Sequence, residues 1–212
     1  MRLSMISIAA LLVCTPAMAG TYTMNAAYND ALSSSVVVPG GENPWTTPIT
    51  MTNASGTIAV YCDDFFHTFN VGGAYTMDAT KVTTNYNGGV LTQQESNQIG
   101  RVADAGLADY RAGNEAGAIG AQVAIWNDEY HFNAFSTNST VQSYVLSFEK
   151  ITGSPTGDFA HGFSAVGGGQ SQILGAPELS TWAMFGIGLL AMFGFGYKRR
   201  KNRLESFTGG VI

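Results

Sequence analysis

The sequence predicts an α+β domain, a strand-rich sandwich or barrel with an inserted helical part, flanked by an N-terminal signal peptide and a C-terminal transmembrane sorting helix. Three observations carry this. Short β-branched and aromatic runs separated by Gly, Pro and Asn turns fill the first half, as far as Met77. From Thr92 the apolar residues recur at helical spacing instead. Two apolar segments without acidic residues bracket the body.

In chain order, Thr21–Tyr28 and Ser34–Val38 read as strands, followed by the turn-rich stretch Pro39–Pro48. Ile49–Thr52 and Thr57–Cys62 are strands around the turn Asn53–Gly56, and Phe65–Val71 and Ala74–Met77 are strands around Gly72 and Gly73. Thr92 and Glu95 form a capping box, and Ile99, Val102, Ala103 and Leu107 stripe the helix that follows, to about Tyr110. Asn114 caps a second helix, on which Ile119, Gln122, Val123 and Trp126 share a face. A third helix, begun by Ser136 or Thr137, carries Val141, Tyr144, Val145 and Phe148. Phe159–Val166 returns to strand, which sets the domain at 20–166, and 167–176 is glycine-rich and reads as a flexible spacer.

Charge narrows the function classes. Between Gly20 and Gly175 four basic residues face 13 acidic ones, a net −9, which repels phosphate backbones and excludes nucleic acid as a partner. The remaining cations mark the ends. Arg2, the apolar run Met5–Val13 and the small residues Ala17 and Ala19 make residues 1–19 a signal peptide. Its removal takes Cys14 with it and leaves Cys62 alone, so no internal disulfide can form. Leu179–Tyr197 is 19 residues without a charge, enough to span most of a bilayer core of roughly 30 Å. The basic cluster Lys198, Arg199, Arg200, Lys201 and Arg203 stops it on the cytoplasmic side, which places the acidic body outside; residues 204–212 are a short tail.

Pro177 and Glu178, then Ser180-Thr181-Trp182-Ala183-Met184, an apolar span and the arginine-rich cluster resemble the PEP-CTERM sorting signal of Gram-negative bacteria, over residues 177–203. Leu179 stands where that pattern has a second proline, and nine residues follow the basic cluster. The resemblance implies an exosortase-type processing enzyme as a partner. It also implies transient anchoring through 179–197 and final residence at the cell surface or in the extracellular matrix.

Within the body, two residues carry chemistry. Gln122 lies on an apolar helix face, where an amide must find a partner or cost about 1 to 3 kcal/mol. Cys62 ends the strand TIAVYC on the side of Ile58 and Val60, so it too points inward. A buried thiol facing a buried carboxamide can condense with loss of ammonia to an internal thioester, an electrophile that an amine or hydroxyl opens, with the thiolate leaving. Phe65, Phe66 and Trp126 could keep water from it.

Tyr61-Cys62 and the later Ala121-Gln122-Val123-Ala124-Ile125-Trp126 resemble the two signature motifs of the thioester domains of bacterial surface adhesins. The resemblance implies Cys62 as sulfur donor, Gln122 as acyl donor, and Tyr61 and Trp126 as sheltering aromatics. It implies one-time covalent attachment to a nucleophile on an extracellular polysaccharide or a surface protein, in adhesion or biofilm, rather than an enzyme, and no cofactor.

Other groups are weaker signals. Asp63, Asp64 and His67 could hold a metal, but a strand end followed by a solvated turn explains them as well, and no metal site is assigned. His131, beside Asp128 and Glu129, is a candidate base that helps the nucleophile lose its proton. Two competing functions use the same residues: a non-covalent structural or carbohydrate-associated matrix protein in which Cys62 and Gln122 are core, and a redox or metal protein using Cys62.

Overall fold

The computed structural model describes residues 20–28, 32–40, 44, 46–85, 89–156, 159–167 and 170–175, all in the first of the chain's two units, Met1–Ala176. The leader 1–19 and the tail 177–212 lie outside the described residues, and with them Pro177, Glu178, Lys198, Arg199 and Arg200. Among the described residues no helix is long and apolar enough to cross a membrane.

The architecture is mixed α+β. In chain order it comprises β1 (Gly20–Ala26), β2 (Val36–Val37), β3 (Ile49–Asn53), β4 (Gly56–Cys62), β5 (Ala74–Lys81), α1 (Gln93–Arg111) and α2 (Glu115–Tyr130). There follow β6 (Phe135–Ser136), α3 (Ser139–Phe148), β7 (His161–Ala165) and β8 (Gln172–Gly175). Six strands close an antiparallel barrel in the order β1-β3-β4-β8-β7-β5, and β5 returns to pair with β1. The helical part is inserted between β5 and β7. A small second sheet pairs β2 with β6.

Strand alternation fills the core. Tyr22 and Met24 of β1, Ile49 and Met51 of β3, Val60 and Cys62 of β4, Met77 of β5 and Phe163 of β7 form one apolar cluster with Ile119, Val123 and Trp126 of α2. A second cluster joins Tyr61 and Ile173, from the other face of β4 and β8, to Val102, Ala103 and Leu107 of α1 and Ala121, Ala124 and Ile125 of α2. The end of β4 is therefore buried on both faces, and its sequence, Ile-Ala-Val-Tyr-Cys, is continuously apolar rather than alternating. Helix α2 likewise contributes to both clusters and is apolar almost all round.

Local chemistry fixes the helix starts. Thr92 accepts from Glu95 N while the Glu95 carboxylate accepts from Thr92 N and Thr92 Oγ1, and the two bonds to the carboxylate hold it below its ordinary range. Asn114 accepts from Gly117 N at the start of α2. Where α1 crosses α2, Gly106 has no room for a side chain, since a Cβ there would collide with Ala121 Cβ and Tyr61 Oη.

Four expectations need correction. Phe65–Val71 is not a strand, because the Asp64 carboxylate accepts from the backbone of Phe66 and His67, at 3.0 and 3.1 Å, and bends the chain into a turn. Ser33–Ser35 winds into a 3-10 turn, which leaves only Val36–Val37 extended. Helix α3 is capped by Asn138, whose side chain accepts from Thr140 and Val141, rather than by Ser136 or Thr137. The spacer 167–176 contains β8, a barrel strand held by β4 on one side and β7 on the other, so the domain extends past 166 to Gly175.

Candidate functional site

The site lies where β4 outruns β3. Their ladder runs from Asn53↔Gly56 to Ile49↔Val60, and there β3 begins. Continued, the register would set Thr47 opposite Cys62, but β3 begins only at Ile49 and that pair does not form. Cys62 thus needs another partner on that side. Gln122 supplies it: Cys62 N donates to Gln122 Oε1 at 2.9 Å, and Gln122 Nε2 donates to the Cys62 carbonyl at 2.8 Å. The carboxamide takes the place of a neighbouring strand's peptide group, two bonds to one residue.

The sequence expectation that both residues point inward is met by the geometry, with Gln122 fully buried and Cys62 2% exposed. The Cys62 thiol donates to the Asp64 carbonyl at 3.0 Å. Burial first, then the charges of Asp63 and Asp64, push the thiol well above its ordinary titration range, and the bond to Asp64 opposes this. The thiol is neutral at ordinary pH, and thiolate chemistry there needs a local base.

The two aromatic candidates separate. Trp126, one turn beyond Gln122, packs in the same cluster as Cys62 and meets Phe65 edge-on at 5.0 Å. Phe65 continues to Phe132 at 5.1 Å, and Phe132 stacks on Tyr130 at 5.2 Å. Tyr61 faces the other way, into the cluster beneath α1, and donates its hydroxyl to the Ala118 carbonyl at 3.0 Å. It anchors β4 to α2 and does not cover Cys62.

His131 is exposed, caps α2 in the left-handed conformation at φ 54°, and acts electrostatically on Glu95 and Asp128. No hydrogen bond joins it to Cys62 or Gln122. His67 contacts the Asp64 carboxylate, which is otherwise engaged in its own turn. Among the described residues no group of three His, Cys, Asp or Glu side chains is arranged to hold a metal ion.

Sequence reasoning named Asp63 and Glu129 separately and missed that the fold brings them together. Asp63 and Glu129 are 8% and 1% exposed, and their carboxyls face one another. Asp63 Oδ2 accepts from Ser171 Oγ at 3.0 Å, but Asp63 Oδ1 and both oxygens of Glu129 accept from no N–H or O–H donor. The Tyr130 hydroxyl stands beside Glu129 but gives its single proton to the Asp63 carbonyl at 2.7 Å. Two such carboxyls close a hydrogen bond only by sharing a proton. Burial above all pushes both carboxyls up, Asp63 to about 6 and Glu129 well above its usual range, so the pair holds a proton where free carboxyls would have lost it. The spacing Gln122, Trp126, Glu129 is i, i+4, i+7, the one sequence signal that could have drawn Glu129 inward.

A pH dependence follows. The folded state keeps a proton on Asp63 that the unfolded chain releases near 3.8, so this contribution is fully present below about 4 and is lost as pH rises through about 6. The stability difference between the native protein and Asp63→Asn should shift in favour of the variant by up to about 3 kcal/mol between about pH 4 and pH 7. Urea unfolding of both proteins across that range checks it; a constant difference would mean that Asp63 titrates alike in both states.

Comparison of the chain with protein-family models, with curated proteins and with solved structures found no match.

Proposed function

We propose that this chain is an exported surface or matrix protein that forms a thioester between Cys62 and Gln122 and uses it once, to attach covalently to an amine or hydroxyl of an extracellular polysaccharide or surface protein. The observation that carries this reading is the Gln122 carboxamide lying across Cys62, hydrogen-bonded to both its backbone groups in a buried, aromatic-walled setting. The Cys62 N–H already points at Oε1, the atom on which negative charge collects when sulfur, or later an incoming amine, adds to the Gln122 carbonyl carbon. Trp126, Phe65 and Phe132 supply the apolar wall that slows attack by water. On this reading the leader directs export, 179–197 anchors the chain transiently, and an exosortase-type enzyme processes the tail.

One observation favours the runner-up, a non-covalent structural or carbohydrate-associated matrix protein. The amide and the thiol are all satisfied without reacting: Oε1 and Nε2 by Cys62 itself, Sγ by the Asp64 carbonyl. A buried glutamine that completes a broken strand ladder has a sufficient structural role.

The intact mass of the exported protein separates the two. The thioester reading expects a mass one ammonia below that of the chain, no thiol titratable after denaturation, and, on treatment with methylamine, gain of one methylamine with release of the Cys62 thiol. A full-length mass with a titratable thiol and no methylamine adduct leaves the matrix reading.

A further inference from the structure

Closing such a bond moves a proton as well as a carbon–sulfur bond. The thiol of Cys62 must lose its hydrogen, and the nitrogen leaving Gln122 must gain one, in a site with little access to solvent. Among the described residues the thiol's only hydrogen-bond acceptor is the Asp64 carbonyl, which takes no proton. His131, the base suggested by the sequence, is exposed and makes no bond there. What the site does hold is Asp63, next in the chain to Cys62, and Glu129, two turns along α2 from Gln122 on the same face. Their carboxyls are buried and within hydrogen-bond reach of each other, with three oxygens that receive no N–H or O–H donor among the described residues. Two such groups are costly to bury for structure alone.

We propose that the Asp63–Glu129 pair carries the proton from the Cys62 thiol to the departing nitrogen of Gln122, Asp63 exchanging it and Glu129 acting as the positioning residue that keeps Asp63 ready. This rests on the thioester reading above. In the forward step Asp63 accepts the thiol proton and Sγ bonds to Cδ of Gln122. Nε2 takes the proton held by the pair, the C–N bond breaks, and ammonia leaves. The pair ends with the one proton it began with, and no redox change occurs. In the opening step an amine bonds to Cδ, the C–S bond breaks, and the proton lost by the amine returns through the pair to Sγ. The other titratable groups acting on the pair are Cys62 itself, Asp64 on the turn after β4, whose carboxylate holds His67, and Tyr130 on α2.

The test uses the full exported chain. Glu129→Gln and Asp63→Asn are isosteric, and thermal melts check that each folds. Intact mass at intervals after synthesis then follows closing. The expected result is a native protein one ammonia light and folded variants that close about 100-fold more slowly or more, with Glu129→Asp recovering part of the rate. If the folded variants become one ammonia light as fast as the native protein, the pair is structural and the proposal is overturned, while the thioester reading stands. If the native protein never loses ammonia, the thioester reading fails and takes the proposal with it. Should a variant not fold, the native protein's methylamine opening rate, divided by the free-base fraction, decides between about pH 5 and about pH 8. An inflection retained in His67→Gln, His131→Gln and Asp128→Asn supports the pair, and a flat profile, or an inflection lost in any of the three, overturns it.

Discussion

Gln122→Ala is expected to unfold about 3 to 5 kcal/mol more easily than the native protein. Among the described residues the Gln122 amide is the only partner for two backbone groups of Cys62, at 2.9 and 2.8 Å, at a place where β3 has already left the ladder. Alanine leaves both groups buried and unpaired, at about 1 to 3 kcal/mol each, and opens a hollow on a helix that is covered on every side. Gln122→Met keeps most of the volume, so the difference between the two variants measures the hollow, and what remains measures the lost bonds together with any covalent link to Cys62. Cys62→Ala adds a comparison. If a covalent bond joins positions 60 apart, its loss removes a loop constraint of about 4 kcal/mol, whereas loss of a buried thiol alone costs about 1 to 2 kcal/mol. Urea unfolding of the three variants checks all of this. A Gln122→Ala protein within 1 kcal/mol of native, about the worth of one ordinary hydrogen bond, would mean that water reaches the end of β4 and replaces the amide.

How far the sequence was legible tracks how local each signal is. Thr92 with Glu95, and Asn114 before Gly117, announce their helices within four residues, and both caps form. The inward positions of Cys62 and Gln122 follow from period two on a strand and period 3.6 on a helix. Their relation does not, because it depends on where β3 starts relative to β4, a matter of pairing between distant residues. The aromatic run after Asp64 has strand composition, yet one carboxylate accepting two backbone N–H groups turns it. Asp63 and Glu129 look like solvated charges at a strand end and a helix end; only the packing of Ser171 and Tyr130 around them shows that they are enclosed. The segment before the apolar tail was the least legible. Its Gly, Ser and Gln content describes a spacer, and nothing within it reports that β4 and β7 each have an open edge waiting for it.

That segment gives the second large effect. A chain spanning 20–166 is expected to lack a cooperative fold, whereas one spanning 20–176 keeps it. β8 is the stave between β4 and β7: Tyr61 pairs with Ile173 and Cys62 with Gln172 on one side, Gly162 with Ile173 and Phe163 with Gln172 on the other. Without it the barrel opens along two edges, and the backbone of β4 loses its partners on the β8 side beside Cys62. Ile173, fully buried under α1, contributes about 2 to 5 kcal/mol by itself. The residues leading into β8 are needed as well. Gln170 Nε2 donates to the carbonyls of Asp64 and His67 at 3.0 and 2.8 Å, the Ser171 carbonyl accepts from Asp63 N at 3.1 Å, and Ser171 Oγ binds the Asp63 carboxylate. Together these losses approach the whole stability of a small domain, about 5 to 15 kcal/mol. Far-UV circular dichroism with urea titration distinguishes the outcomes: a sharp transition for the longer chain and a broad, early one for the shorter. An equally sharp transition at the same urea concentration for both would mean that five strands close on themselves and that β8 only decorates the barrel.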